Sequence, residues 1–469
     1  MKKSILLECD SFTVTKLKHW ILSSRINEFY NLYILTFDVR NKNFKNGLEG
    51  VANVNCISYK FLDSYTPKKD TELPVYASFV STLLNDHITA RLIDRTSLWP
   101  DYGIGVQNAF SYFIFLSNKI LGFLLDKNIE TVYFRNTPHL PKEWIIAKAA
   151  EHLKVEVYVT ERYIFPWLYS ISKGYKKERE SLLGNKSFNS LENLKYHITK
   201  QVESIRGDYE NAIPSYEKNR LGKGILKFYN PFKNKRIVLK RPDNFLNKTK
   251  LFFYYKKHRK YIDLENTDYV MFYMHYQIER TTLPEGYDFV DQFYAISLLS
   301  KMLPEGTKLL VKEHPSMFTR SSNVKARNLY NYKQINKFSN VIFCPMDEDN
   351  FKLIDNAKAI STITGNVALE AYVRKIPVIL FGRSLLNVEG VHVYKDISHL
   401  ENFVNKVCDN KVKIENVIDN LVNLCLKNNI SGLDLESRKD IDYHNFKDFQ
   451  ENAHFKLLTE VFINQVQNQ

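Results

Sequence analysis

Short apolar runs alternate with helical stretches twice along this chain. That alternation limits the fold more than any single motif. In the first half, SILLE (4–8), NLYILTFD (31–38), VNCISYK (54–60), TVYFRN (131–136) and VEVYVTE (155–161) read as strands. Helical stretches fall at 77–95 and 107–127, and PKEWIIAKAAEHLK (141–154) joins two of the strands. In the second half, YVMFYMHY (269–276), TKLLVKE (307–313), NVIFC (340–344) and AISTIT (359–364) are strands. DFVDQFYAISLLSKML (288–303) and DEDNFKLIDNA (347–357) are helices between them. Strands separated by helices argue for a parallel sheet covered on both faces. The 469 residues exceed a single core, at ~150 residues per domain. The expected class is α/β, with two Rossmann-like domains facing a central cleft.

Charge marks the boundary between the halves. From Lys218 to Lys260 there are fifteen Lys or Arg and one acid, Asp243, which matches the net +14 of the whole chain. Phe228, Tyr229, Phe232, Phe245, Phe252, Phe253, Tyr254 and Tyr255 are interleaved with this charge. Such a stretch suits an anionic leaflet, at ~1 kcal/mol per well-placed cation, or a solvated connection between domains. It carries no RNA- or DNA-binding motif, so no nucleic-acid partner is expected. The expected division is residues 1–215 as an N-terminal domain, 216–262 as a basic linker or insertion, 263–430 as a C-terminal domain, and 431–469 as a tail or helix.

Other classes lose their support. The five cysteines are scattered, with no C-x-x-C pair and no Cys/His zinc spacing, so reduced thiols in a cytoplasmic protein are expected. The apolar run after MKK stops at Glu8, too short for a signal h-region. No uninterrupted apolar stretch reaches the ~20 residues of a membrane span. The glycine fingerprint of dinucleotide binding, the P-loop and the nucleophile elbow are absent. The chain is expected to be cytoplasmic or peripheral on the inner face of the plasma membrane, with no cofactor and no metal.

In an open α/β sheet, ligands bind outside the carboxyl ends of strands. Those ends are polar here. HYQIERTT follows the first C-terminal strand and supplies Gln277 and Arg280; KEHP follows the second, with Lys312 and His314. TGN follows the fourth, with Thr364, Gly365 and Asn366, and opens a helix carrying Glu370. Thr364 or Asn366 would cap that helix. Gly365 would allow close approach or positive φ. Free amides at the helix start suit an anion, and Glu370 suits ribose hydroxyls. The plain alternative is a capped crossover helix. In the N-terminal half, RNTPHLPKEW sets Arg135, Asn136, Thr137 and His139 past a strand end, while Asp94 and Glu161 are candidate carboxylates. The plain alternative for those two acids is a surface ion pair.

MHYQIERTTLPEGYDFVDQ, LLVKEHPSMF, LIDNAKAISTITGNVALEAYVRKIPVILFG and, more weakly, TPHLPKEW resemble bacterial capsule polysaccharide biosynthesis proteins. These are glycosyltransferases of GT-B fold related to the capsular Kdo (ketodeoxyoctulosonic acid) transferases. The strong part covers 268–395. The resemblance implies a CMP-activated ulosonic acid donor, Kdo or a nonulosonic acid such as pseudaminic acid. It implies a lipid- or glycan-linked acceptor and no metal. It places Gln277, His314, Thr364, Gly365, Asn366 and Glu370 at the donor, and the loops after the strands add Arg280 and Lys312. Asn366 stands where the family pattern has a small residue. Arg135, Asn136 and Thr137 would hold the acceptor, with Asp94, His139 or Glu161 as catalytic groups. A carboxylate there would either deprotonate the acceptor or attack the anomeric carbon.

The same layout recurs in UDP-sugar 2-epimerases and CDP-glycerol glycerophosphotransferases. Either remains an alternative, as does a non-catalytic partner in glycan assembly.

Overall fold

The computed structural model describes residues 2–10, 12–68, 73–97, 106–162, 164–165, 169–177, 179–181, 191–207, 242–277, 279–318, 327–427 and 447–463. The chain divides into two compact units, Met1–Ser190 with Leu426–Gln469, and Leu191–Cys425.

In the first unit, β1 (Lys3–Glu8), β2 (Tyr30–Thr36), β3 (Val54–Ser58), β4 (Ile129–Phe134) and β5 (Glu156–Arg162) fall on the five predicted strands. They run parallel in the order β3-β2-β1-β4-β5. β6 (Tyr169–Lys173) and β7 (Glu180–Ser181) extend one edge antiparallel. At five and two residues they are too short for a period to show in sequence. The stretch predicted as one helix at 77–95 is two, Leu73–Leu84 and His87–Ser97. Asp86 breaks it by accepting the amide of Thr89 at 3.2 Å and its hydroxyl at 2.7 Å, as an N-cap does.

The C-terminal residues return to this unit. The helix Lys447–Phe462 brings Phe455 onto Trp20 and Phe12, with ring centroids 5.4 and 4.7 Å apart. Trp20 Nε1 donates to Thr459 Oγ1 at 2.9 Å. Phe455, Leu458 and Phe462 share one core with Ile5, Leu7, Leu32 and Ile34.

The second unit holds β8 (Tyr269–Tyr273), β9 (Lys308–Lys312), β10 (Val341–Phe343), β11 (Ala359–Thr362), β12 (Val378–Leu380) and β13 (Val391–Val393). All pairs are parallel, in the order β10-β9-β8-β11-β12-β13. Counted from β8 this is 3-2-1-4-5-6, the doubly wound order, with its switch point between β8 and β11. β8 and β11 are almost wholly buried, as strands covered by helices on both faces must be. Val270, Phe272, Leu309, Val311, Ile379 and Phe381 meet Ile296, Leu299 and Leu400 from the covering helices.

The division differs from the expected one in two places. The helix Leu191–Arg206 belongs with the second unit, where Arg206 Nε donates to Val373 O at 3.0 Å. The end of the basic stretch is not a free linker either. The helix Pro242–His258 sinks Leu251, Phe252 and Tyr255 into the second core. Tyr255 lies under the sheet, its hydroxyl donating to Cys344 O at 2.5 Å. Phe252 and Tyr255 thus serve packing and are not available to a membrane. Phe253 and Leu246 stay exposed, as do Lys250, Lys256 and Lys257. Residues 208–241, which carry most of the basic run, lie outside the described residues. Among the described residues, no helix is long and apolar enough to cross a membrane. All five cysteines are free thiols.

Candidate functional site

The switch point of the second unit is built by four strand ends. His275 follows β8 and is buried. Its Nε2 accepts the amide of Thr364 at 3.0 Å and lies 3.0 Å from Thr362 Oγ1. Accepting a backbone N–H requires an unprotonated Nε2. Burial, then the charges of His314 and Arg327, lower the pKa of His275 to about 3. The ring is therefore neutral, with its proton on Nδ1. It ties the end of β8 to the turn after β11.

That turn is tighter than the sequence implies. A Cβ at Gly365 would lie 2.9 Å from Thr362 Oγ1 and 3.3 Å from His275 Nε2. Glycine is required there for close approach to protein atoms, and its φ is not positive. Neither expected cap forms. Asn366 takes the N-cap position with no side-chain bond. Thr364 Oγ1 instead donates to Thr281 O at 3.0 Å, which fastens the loop after β8 to the turn. The amides of Gly365, Asn366 and Val367 donate to nothing else among the described residues. The helix Val367–Val373 has seven residues, with Glu370 half-buried one turn in.

His314 follows β9 and is half-buried, its ring centroid 6.1 Å from that of Tyr276. Its backbone is held from below. Glu313 accepts the His314 amide at 2.8 Å and pairs with Arg327 Nε at 3.0 Å. Tyr332 also donates to Glu313. Arg327 further donates to His275 O at 2.8 Å and to Gln277 Oε1. One buried guanidinium thus fixes the ends of β8 and β9 together, and both Glu313 and Arg327 side chains are almost fully inaccessible.

The other expected donor residues are placed as follows. Gln277 is engaged at both ends of its amide, since Nε2 donates to Val290 O at 2.6 Å. Arg280 Nη1 lies 3.8 Å from Glu285 Oε1 on the same loop. The Lys312 ammonium is buried, donating to Glu348 O at 2.8 Å and Asn350 Oδ1 at 2.5 Å. Burial brings its pKa down to about 8.

In the first unit the corresponding switch point lies between β1 and β4. Arg135 follows β4, its guanidinium 4.9 Å from the centroid of Phe12. Asn136 is half-buried and Thr137 buried. Thr137 Oγ1 accepts from Arg179 Nη2 at 3.1 Å. His139 Nδ1 lies 3.0 Å from Thr137 O and 3.3 Å from Glu143 Oε2. Glu161 forms an ion pair with Arg179, and both side chains are buried, so this pair is not a surface one. Asp94 lies in the helix His87–Ser97, and its side chain is outside the described residues. Among the described residues, no three His, Cys, Asp or Glu side chains are grouped to hold a metal ion.

A family model described as "Capsule polysaccharide biosynthesis protein" matches residues 286–422. The matched span runs from the loop after β8 past β13 into the helix Val417–Lys427 and contains Lys312, His314, Thr364, Gly365, Asn366 and Glu370. No curated protein matches the chain. Solved structures to which it is similar include Thermosulfurimonas dismutans KpsC, a beta Kdo 2,4 transferase. The identity is 14%, over 59% of this chain and 79% of that one, with a TM-score of 0.32. Anabaena Alr3699/HepE in complex with UDP is 11% identical over 96% of this chain and 99% of that one, with a TM-score of 0.30. The UDP-GlcNAc 2-epimerase of Methanocaldococcus jannaschii is 14% identical over 89% and 96%, with a TM-score of 0.24.

Proposed function

We propose that the chain is a glycosyltransferase of capsule or surface polysaccharide synthesis. It transfers an ulosonic acid, Kdo or a nonulosonic acid such as pseudaminic acid, from its CMP-activated form to a lipid- or glycan-linked acceptor. The observation that carries this reading is the switch point between β8 and β11, inside or beside the capsule family segment. There His314 and the unpaired amides of Gly365, Asn366 and Val367 follow β9 and β11, the strands on either side of β8.

These donors suit a sugar linked through a phosphodiester to a nucleoside, whose leaving group gains charge as the glycosyl bond breaks. Fixed donors aimed at developing charge are the strongest catalytic device of such sites. In this reading His314, Thr364, Gly365 and Asn366 take the CMP phosphate and Glu370 the ribose. Arg280 takes the donor carboxylate. Gln277 and Lys312, both internally bonded, hold the loops in place. Arg135, Asn136 and Thr137 contact the acceptor. Metal-independent transfer and peripheral docking on an anionic inner-membrane surface through 218–260 are parts of the same proposal. The exposed Lys250, Lys256, Lys257, Leu246 and Phe253 support the docking.

The test is thermal unfolding with CMP, CDP, UMP, UDP and GDP. A ligand at 100 times its Kd stabilises the folded state by ~2.7 kcal/mol. Selective stabilisation by CMP, abolished in His314→Ala, is the expected result. Selectivity for UDP would overturn the CMP donor in favour of an epimerase-type enzyme.

A further inference from the structure

Arg135 directly follows β4, at the switch point of the first unit, and is 7% exposed. Its backbone amide donates to Glu8 Oε2 at 3.0 Å, which locks the end of β1 to the residue after β4. Its side chain has no such partner. The guanidinium makes no hydrogen bond and no ion pair among the described residues, and Nη1 is wholly buried. Neither Glu8 nor Asp10, at and just after the end of β1, pairs with it. Those carboxyls accept the amides of Arg135 and Phe37, the second at 2.7 Å. The guanidinium carbon lies instead over the ring of Phe12, 4.9 Å from its centroid. A guanidinium keeps its charge in any protein setting. An aromatic face offsets part of the cost of taking that charge out of water, but it leaves the N–H groups without oxygen acceptors. Buried donors are normally satisfied, and a buried cation normally has a counter-charge.

Phe12 leads directly into a second set of unused donors. The next residue, Thr13, is the N-cap of the helix Val14–Ser24, whose eleven residues carry a macrodipole. No side chain of the first turn offsets the positive end. Thr13 makes no capping bond with its side chain, and the first turn holds no acid. The amides of Val14 and Thr15 donate to nothing among the described residues. This helix follows β1, and the end of β1 at a switch point is where open α/β sheets take their ligands. A buried cation without a counter-charge and unbonded amides at a helix start call for the same chemistry, that of an oxyanion.

We propose that the first unit binds an oxyanion, a carboxylate or a phosphate, between the Arg135 guanidinium and the start of the helix Val14–Ser24. Naming its carrier as the acceptor rests on the transferase reading above, in which Arg135 contacts the acceptor. The acceptor is then an acidic or phosphorylated sugar, and not a neutral glycan. The anion accepts from the Arg135 side chain and from the amides of Val14 and Thr15. A neutral sugar would leave the guanidinium buried and unpaired, so Arg135 sets the specificity.

The experiment titrates the full-length chain with glucuronate, inorganic phosphate and glucose by calorimetry, for wild type, Arg135→Met and Val14→Pro. Thermal unfolding of the ligand-free proteins, and of wild type with CMP, is followed in parallel. Proline at the first helical position removes one amide and spares the helix. Thr13 already has the extended backbone, φ −80° and ψ 138°, that a following proline requires. Wild type should bind glucuronate or phosphate and not glucose, and the preference between the two anions tells an acidic sugar from a phosphorylated one. Arg135→Met should weaken that binding by ~10–100-fold, and Val14→Pro by ~2–10-fold. The ligand-free unfolding midpoint of Arg135→Met should stay level or rise, because an unpaired buried charge is removed. A lower midpoint with anion affinity retained makes the guanidinium a packing group on Phe12 and overturns the site. A wild type that binds neither anion, or binds glucose as well as glucuronate, overturns it too. Anion binding in a protein that does not respond to CMP keeps the site and removes the transferase reading. A CMP response without anion binding removes the site and leaves that reading in place.

Discussion

Replacing Arg327 by methionine keeps a stem of similar shape in the second core but removes the cation. Arg327 reaches Glu313 Oε2 at 3.0 Å, His275 O at 2.8 Å and Gln277 Oε1. Breaking a buried pair by removing one member costs ~3–5 kcal/mol. Glu313 keeps Tyr332 and the His314 amide as donors, so the lower end, ~3 kcal/mol, is expected. That is a large share of a domain's ~5–15 kcal/mol. Tryptophan fluorescence would miss it, because Trp20, Trp99, Trp144 and Trp167 all belong to the first unit. Hydrogen exchange of the peptides covering β8 and β9 reports the second unit directly. Their slowest amides should lose roughly 100-fold in protection. CMP stabilisation should disappear as His275 and His314 lose their shared anchor. Adding Glu313→Gln should recover much of the protection, since no unpaired charge then remains. A loss below about fivefold for Arg327→Met, or a double variant less stable than the single one, would refute this account of the network.

Three further outcomes follow from the geometry. Gly365→Ala sets a Cβ 2.9 Å from Thr362 Oγ1; overpacking of ~1–3 kcal/mol is expected, with loss of CMP stabilisation, read by thermal unfolding. His275 has a depressed folded pKa, to about 3, so the unfolded chain binds the extra proton first. Its contribution is full above pH ~6.5 and fades toward the folded pKa as acid is added. The slope is up to ~1.4 kcal/mol per pH unit, and His275→Asn should flatten it in urea titrations between pH 6 and pH 4. Phe455→Ala removes a ring stacked on Phe12 and Trp20; a cost of ~3–5 kcal/mol should appear as faster proteolytic cleavage within the helix Lys447–Phe462.

Position was legible in the sequence, and the state of each side chain was not. Parallel sheets follow from strands separated by helices, and so do polar residues gathered past the carboxyl ends of the second set of strands. The order that sets SILLE, YVMFY and AIST at sheet centres comes from pairing between distant segments. The order of burial at the switch points is set by contacts between distant segments. Lys312 and Gln277 look like ligands in a linear reading because they are polar and end strands. Lys312 is instead consumed by Glu348 and Asn350, and Gln277 by Val290 and Arg327. Arg327 lies past the HP motif in a polar stretch without periodicity, where nothing local distinguishes a buried anchor from a solvated loop.

The same reasoning explains why the burial of Glu8 among other acids was missed. Asp94 drew attention at the end of a helical stretch and Glu161 at the end of a strand, whereas Glu8 closes an apolar run and reads as the polar end of a strand. Whether an acid is a surface group or a proton carrier depends on which charges it shares its burial with. Glu161 meets Arg179, and a buried pair of opposite sign holds both charges in place. Glu8 meets Glu143 and Asp10, and a buried group among like charges takes up a proton. Which charges a buried acid meets is set by segments far apart in sequence, so the difference between Glu161 and Glu8 has no local signature.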